Sequence, residues 1–276
     1  MNVLKREKQI MVLSMLVEGN SIRSIERMTG VQKRTITRLM VRVGTDCERY
    51  LETHMRNLEC YRLELDEIWT FCGKKERHLS DRERFAEDLG DQFVFYAIDP
   101  KTKLIPTWTV GKRDTPTTNI FIRRLKSSLN GVKPQISTDA FTPYRYAIPR
   151  VFGDSVHYAT ITKQYASEAV GPGRYAPPCV KGTVKATHLG TPDDRYICTS
   201  YIERHNLTIR TFIRRFARLS LGFSKKRDNL KAAVALYFAY YNYCWIPRTT
   251  GQTPAMAAGV SFAPWNMEQL LQAVMN

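Results

Sequence analysis

The stretch Thr199-Ser-Tyr-Ile-Glu203-Arg-His-Asn-Leu-Thr-Ile-Arg210 opens a basic helical segment with one carboxylate on its first turn. An acid set beside Arg204, Arg210, Arg214 and Arg215 needs acidic partners before it can do metal chemistry. Two stand upstream at the ends of strand-like runs: Asp66 in Leu63-Glu-Leu-Asp66-Glu-Ile-Trp69 and Asp139 in Gln135-Ile-Ser-Thr-Asp139-Ala. Two strand aspartates and a helix glutamate, in that order, would present three hard oxygen ligands to divalent cations. That is the equipment of metal-assisted phosphodiester chemistry.

The surrounding periodicity predicts the fold. Tyr61, Leu63 and Leu65 alternate with Arg62, Glu64 and Asp66, the two-residue period of a strand. Residues 93–98 and 104–110 read as two further strands, and the intervening Asp99-Pro-Lys-Thr-Lys103 as a turn in which Asp99 is a turn residue rather than a ligand. A helix fits 115–129, with Ile120, Phe121, Leu125 and Leu129 inward and Asn130-Gly131 at its end. A strand at 134–138 then runs into Asp139, followed by a short helix at 141–148 bracketed by Pro143 and Pro149, and a fifth strand at 156–162. Three antiparallel strands, a helix and a strand ending in an acid is the order of a ribonuclease-H-like α/β fold, a mixed sheet flanked by helices. Its first and fourth strands adjoin, which would bring Asp66 to Asp139 across 73 positions.

From 166 to 200, eight of 35 residues are Gly or Pro, and this composition predicts a loop laid over the sheet. From Glu203 to Lys231, nine Lys or Arg face two acids, including Arg218 and Lys226. Helical spacing places Glu203, Asn206, Arg210 and Arg214 on one face. Phosphates drawn along that stripe, with Lys225, would bring a scissile bond to metals near Glu203. Asn206 and His205 are placed to position the nucleophile or flanking DNA. Ser200-Tyr-Ile-Glu203 also fits a capping box, in which the glutamate reaches back to the Ser200 backbone. Glu67 could stand in for Asp66, but strand alternation sends it to the opposite face.

Ahead of the sheet, helical periodicity covers 4–17, 21–28 and about 32–43, with Ser21 placed as a cap and Thr29-Gly30-Val31 as a tight turn. Short helix, glycine turn and basic helix form a helix-turn-helix pattern. Gln32, Lys33, Arg34, Thr37 and Arg38 would face the major groove, and residues 1–45 hold nine Lys or Arg against three Glu. This makes 1–45 a small all-α domain. Residues 46–59 read as a polar helical connector, 60–260 as the α/β domain with its 166–200 insertion, and 261–276 as a C-terminal tail.

The 276 residues are 43% hydrophobic, enough for a substantial core, and carry a formal charge of +16, which favours a polyanionic partner. No run of about 18 apolar residues occurs, which argues against a membrane span. The first residues lack a secretory pattern, so the expected compartment is the cytoplasm, where the six scattered cysteines would be free thiols. The spacing of Cys179, His188 and Cys198 matches no common zinc site.

Leu65-Asp66-Glu67-Ile-Trp69, Thr138-Asp139-Ala140 and, above all, Tyr201-Ile-Glu203-Arg-His-Asn206-Leu-Thr-Ile-Arg210 followed by Leu221-Gly-Phe-Ser-Lys225-Lys226 resemble the insertion sequence 1 family of transposases. Tyr240-Tyr-Asn-Tyr-Cys-Trp245 and Thr253-Pro-Ala-Met-Ala-Ala258 resemble the closing helix and tail of such enzymes, so the resemblance spans about 60–260. It implies an aspartate, aspartate, glutamate (DDE) triad at Asp66, Asp139 and Glu203, with two bound Mg²⁺ or Mn²⁺ ions. It also implies double-stranded DNA as partner, both terminal repeats and target, and a homo-oligomer assembled on paired ends. The chain departs from the family in two ways. A long interval of 63 residues separates Asp139 from Glu203, and only Cys47 lies in the first 59 residues, so no cysteine-rich zinc module precedes the sheet. A non-catalytic helix-turn-helix regulator and a metal-dependent nuclease without strand transfer are the alternative functions.

Overall fold

The computed structural model describes residues 4–166, 179–217 and 220–275. Three helices lead the chain: α1 (Arg6–Val17), α2 (Ile22–Thr29) and α3 (Lys33–His54). The Ser21 hydroxyl caps α2 by accepting the Ser24 amide at 3.0 Å, and Gly30 ends it in the left-handed region at φ 70°. Helix α3 does not stop at Val43, and the expected connector at 46–59 is largely its second half, up to His54. Gly44 lies inside it, where an added Cβ would sit 2.1 Å from the Ala232 carbonyl oxygen. This glycine is a packing residue. It lets the backbone of α7 (Arg227–Tyr243) press against α3.

The sheet contains β1 (Arg62–Cys72), β2 (Gly90–Ile98), β3 (Trp108–Gly111), β4 (Gln135–Thr138), β5 (His157–Ala166) and β6 (Cys179–Leu189). Its order is β3-β2-β1-β4-β5-β6. The first three strands pair antiparallel, while β1, β4 and β5 run parallel. The fold is therefore a ribonuclease-H-like mixed α/β sheet with the first and fourth strands side by side.

Strand β6 corrects the expected 166–200 loop, because 179–189 pairs antiparallel with β5 as an edge strand. Val180, Thr183, Val184 and Thr187 supply β-branched residues, and Gly182 lies beside a register shift, where a bulge tolerates it. Residues 167–178 of that expected loop lie outside the described residues.

Helices α4 (Thr115–Ser128) and α5 (Thr142–Phe152) cover one face of the sheet, where Phe95 packs against Phe121 and Tyr144. Helix α5 runs on through Pro149, and in α4 Ile120 is exposed while Ile122 is buried. On the opposite face lie α6 (Ser200–Phe212) and α7, with Tyr96 against Phe238 and His205. Both faces of β1 are thus covered, so Glu64 is buried as fully as Leu63 and Leu65.

Helix α6 ends before the expected basic stripe does. Ile213 takes an extended conformation (φ −109°, ψ 100°), so Arg214 is not on the α6 face. Burial of Ile213 and Phe216, and the anchoring of the following segment to β1, outweigh helical propensity here. Phe223 stacks on Phe71, and the Gly73 amide donates to the Ser224 carbonyl at 2.8 Å. The chain closes with α8 (Pro254–Ala257) and α9 (Met267–Met275). The expected tail thus carries a helix, which buries Leu270, Leu271 and Val274 and packs on α1 and α3.

Candidate active site

β1 and β4 are parallel neighbours, and the carboxyl end of β4, the usual place for a site in such sheets, lies beside the middle of β1, where Ser137 pairs with Glu64. Asp66, expected at a strand end, is therefore a mid-strand residue, because β1 runs on to Cys72. Asp66 lies on β1, and Asp139 directly follows the last residue of β4. One carboxylate oxygen from each of Asp66, Glu67 and Asp139 lies within 4.8 Å of the other two.

Asp66 is held from two directions. Its Oδ2 accepts from Asn206 Nδ2 at 2.6 Å and its Oδ1 from the Glu67 amide at 2.8 Å. Tyr96 Oη donates to Asn206 Oδ1 at 2.9 Å, which fixes the amide that orients the acid. Burial pushes the Asp66 carboxyl up to about 6, and the negative charges of Asp139 and Glu203 add to the shift.

The position of Glu67 corrects the expectation from alternation. Its backbone does face α4 and α5, where Arg113 Nε donates to Glu67 Oε2 at 3.0 Å. Asp139, however, sits at the end of a strand, where the two faces of the sheet converge, and the longer glutamate side chain reaches it. Burial pushes Glu67 up to about 7, Asp139 and Asp66 push the same way, and Arg113 opposes them. The Arg113 guanidinium stacks 3.9 Å from the Phe141 ring centroid and lies 3.7 Å from Asp139 Oδ2. Asp139 Oδ1 in turn accepts the Phe141 amide at 2.9 Å.

Glu203 stands across the cleft. Its Oε2 is ion-paired with Lys163 of β5, and its Oε1 accepts from the Thr199 hydroxyl at 2.9 Å. The capping-box bond to Ser200 is replaced by that contact. Asp66, Asp139, Lys163 and Glu203 line one cleft of about 540 Å³. The expected triad therefore shares a cleft, while the tight cluster among the described residues is Asp66, Glu67 and Asp139.

Glu64, which the sequence reading did not single out, sets the start of α6. Its Oε2 accepts the Ile202 amide at 2.9 Å, supplying from β1 a cap that the Thr199 side chain does not provide. Burial pushes Glu64 up to about 7. The available signal was its place two residues before Asp66, on the same strand face.

Two residues expected at the DNA lie inside the protein. His205 is buried among Tyr96, Tyr237 and Tyr241, and burial pushes it down to about 3, so it is a neutral core residue and not a group poised at a nucleophile. Asn206 is buried too, and its amide is spent on Asp66. Arg214 and Lys225 are exposed and Arg210 is half-buried, while Arg218 lies outside the described residues. Gln32, Lys33, Arg34 and Arg38 are exposed on the first turns of α3, with Thr37 half-buried. Lys33, Arg34, Thr37, Arg38, Arg42 and Lys226 line a groove of about 760 Å³. His188 Nε2 lies 3.0 Å from the Thr160 hydroxyl, Cys198 Sγ contacts the Ser200 hydroxyl, and the Cys179 side chain lies outside the described residues. Among the described residues, no helix is long and apolar enough to cross a membrane.

The chain matches no protein-family model and no curated protein. Its structure is similar to Mos1 transposase in a paired-end complex with the left transposon end, at 13% identity over 55% of this chain and 57% of that one, with a TM-score of 0.23. It is similar to piggyBac transposase in a synaptic complex with hairpin DNA at 8% identity, covering 99% of this chain and 71% of that one, with a TM-score of 0.42. The Mos1 strand transfer complex gives 12% identity over 55% and 57% of the two chains and a TM-score of 0.22. The Mos1 matches span little more than half of that protein. These likenesses are distant, so the chemistry of the cleft carries the functional reading.

Proposed function

We propose that the chain is a DDE-type transposase of the insertion sequence 1 kind, a polynucleotidyl transferase that cuts double-stranded DNA at element ends and joins it to a target. The observation that carries this reading is the convergence of Asp66 and Glu67, in the middle of β1, with Asp139, just past the end of the parallel β4, and with Glu203 across the same cleft. An all-carboxylate donor set of this spacing suits Mg²⁺ or Mn²⁺. The raised Asp66 and Glu67 fit it as well, because mutual repulsion and burial are what a bound cation relieves. Asp66, Asp139 and Glu203 would hold two such ions, with Glu67 as an additional carboxylate. When bound, they supply activation of water or a 3′ hydroxyl and neutralise charge on the leaving oxygen.

The residues of the chain divide the remaining work. Tyr96 and Asn206 hold Asp66 in one orientation, and Arg113 fixes Glu67 beside Asp139. Glu64 sets the height of α6 and hence of Glu203. Lys163 neutralises Glu203, so that carboxylate joins the cluster only by exchanging its partner. The helices within 1–45 serve as a helix-turn-helix reader of terminal repeats through Gln32, Lys33, Arg34, Thr37 and Arg38, joined to a catalytic unit within 60–260. Arg210, Arg214 and Lys225 hold the backbone leading to the cleft. The active form is a homo-oligomer on paired ends, working in the cytoplasm.

The test is incubation of the protein with linear DNA bearing its element's ends and a target, in Mg²⁺ and in EDTA, beside Glu203→Gln. Metal-dependent nicking and joining lost in the variant supports the proposal. Nicking without joined product points to a nuclease, and tight binding without chemistry points to a regulator.

A further inference from the structure

A second cavity, of about 550 Å³, lies between the leading helices and the segment that follows α6. Arg215 lines it, and the partners of its guanidinium are the Ser224 hydroxyl at 3.0 Å and the Met40 thioether at 3.3 Å. Among the described residues no carboxylate forms an ion pair with it. Desolvation pulls its pKa down to about 10, and the neighbouring Cys72 only partly opposes that shift. Tyr237 lines the same cavity, and its buried hydroxyl lacks a hydrogen-bond partner among the described residues. Tyr237 is buried and Arg215 half-buried, and an unpartnered buried hydroxyl beside a guanidinium that no carboxylate balances is costly to keep unless a ligand completes them.

The walls and mouth narrow the choice of ligand. Leu16, Ile22 and Leu236 give the wall an apolar side, while Arg23, Arg214 and Lys225 are exposed cations at the rim. Lys33 and Thr37 belong both to this cavity and to the basic groove along α3. A strand followed along that groove therefore arrives at the cavity. A duplex is too wide to enter a space of this size, whereas one nucleotide fits it.

We infer that this cavity takes a single unpaired nucleotide of a bound DNA strand, its phosphate on Arg215 and its sugar and base against the Leu16–Ile22–Leu236 wall. The inference rests on the proposed DNA-processing function and adds to it a site distinct from the acidic cleft.

The test uses the full chain and a 5′-phosphorylated trinucleotide of DNA, beside its unphosphorylated form, with affinity read by calorimetry. The phosphorylated form binds about tenfold or more tightly, and Arg215→Gln removes that preference. Tyr237→Phe deletes only the unpartnered hydroxyl and weakens binding several-fold. Ala233→Leu, which fills the cavity from α7 without touching a charge, blocks binding of both forms. Thermal melting confirms that each variant is folded, and Tyr237→Phe and Ala233→Leu keep the test decisive if Arg215→Gln is not. Equal affinity for the two trinucleotides, or binding unmoved by Ala233→Leu and Tyr237→Phe, overturns the site. If metal-dependent cleavage of duplex DNA persists in that wild-type sample, the proposed function stands without it.

Discussion

The carboxylates on the two sides of the cleft are in opposite states. On the strand side, Asp66, Glu67 and Asp139 crowd within 4.8 Å, and burial raises Asp66 and Glu67. On the helix side, Glu203 is partly exposed and neutralised by Lys163. The strand side is thus fixed before any cation arrives, held by Asn206, Arg113 and the β1–β4 pairing. Under the proposed function, the helix side would complete the site only by trading an internal cation for an external one.

The largest effect expected from this contrast is on chemistry. Asp66→Asn and Glu203→Gln should each lower DNA cleavage by about a thousandfold, measured under single-turnover conditions, since each removes a carboxylate that would hold metal. Glu67→Gln should cost less than either. A loss at Glu67 equal to that at Asp66, with Glu203→Gln nearly silent, would move the third ligand from α6 to β1.

Asn206→Ala tests the support of the fixed side. Removing a group that orients a metal-holding acid should reduce cleavage by about 10- to 100-fold, with DNA affinity unchanged. A fall in DNA affinity instead would return Asn206 to the DNA-contacting role that its helical position suggested.

Lys163→Met sharpens the other side. Freed from its ion pair, Glu203 should take up metal more readily, and the Mg²⁺ concentration for half-maximal cleavage should drop by about two- to fivefold, the scale of a partly exposed pair. A rise would show that Lys163 supports the reaction rather than competing with the cation.

The smallest effect is on stability. Glu67 ionises near 7 in the folded chain, against about 4.3 for a free glutamate. Between those values the folded state binds more protons than the unfolded state, so this group's contribution to stability falls as pH rises through that window. Denaturant titrations of metal-free protein should therefore show Glu67→Gln gaining on the wild type, by on the order of 2 kcal/mol, between pH 5 and pH 8. Parallel pH profiles would remove the strain assigned to this carboxylate.

The same contrast shows what the sequence could carry. Strand periodicity followed by an acid is a local signal, and it placed Asp66 and Asp139 on adjoining strands. Glu203 was legible as an acid on a helix's first turn, but its pairing with Lys163 was not, because that contact joins residues 40 positions apart. Glu67 was misplaced because alternation describes the direction of Cβ, whereas a three-carbon side chain beside the end of β4 reaches Asp139 around it. The expected end of the third helix at about 43 fell short of His54, and Gly44 sits inside α3 because the close approach of α7 requires it there, a reason invisible until the partner helix is known. Strand β6 hid among the glycines and prolines that flank it, for an edge strand with exposed residues has no buried face to impose a period. His205 and Asn206 were displaced by tertiary packing: both are buried where α6 meets Tyr96, while Glu203 of the same helix stays exposed in the cleft.

The most direct test of the central claim is a calorimetric titration of the metal-free chain with Mn²⁺ at pH 8, beside folded Asp66→Asn. The account predicts saturable binding by the wild type, accompanied by proton release, and its loss in the variant. Wild-type protein that takes up no Mn²⁺, or a variant that binds it equally well, would contradict the assignment of this cleft as a metal-dependent active site.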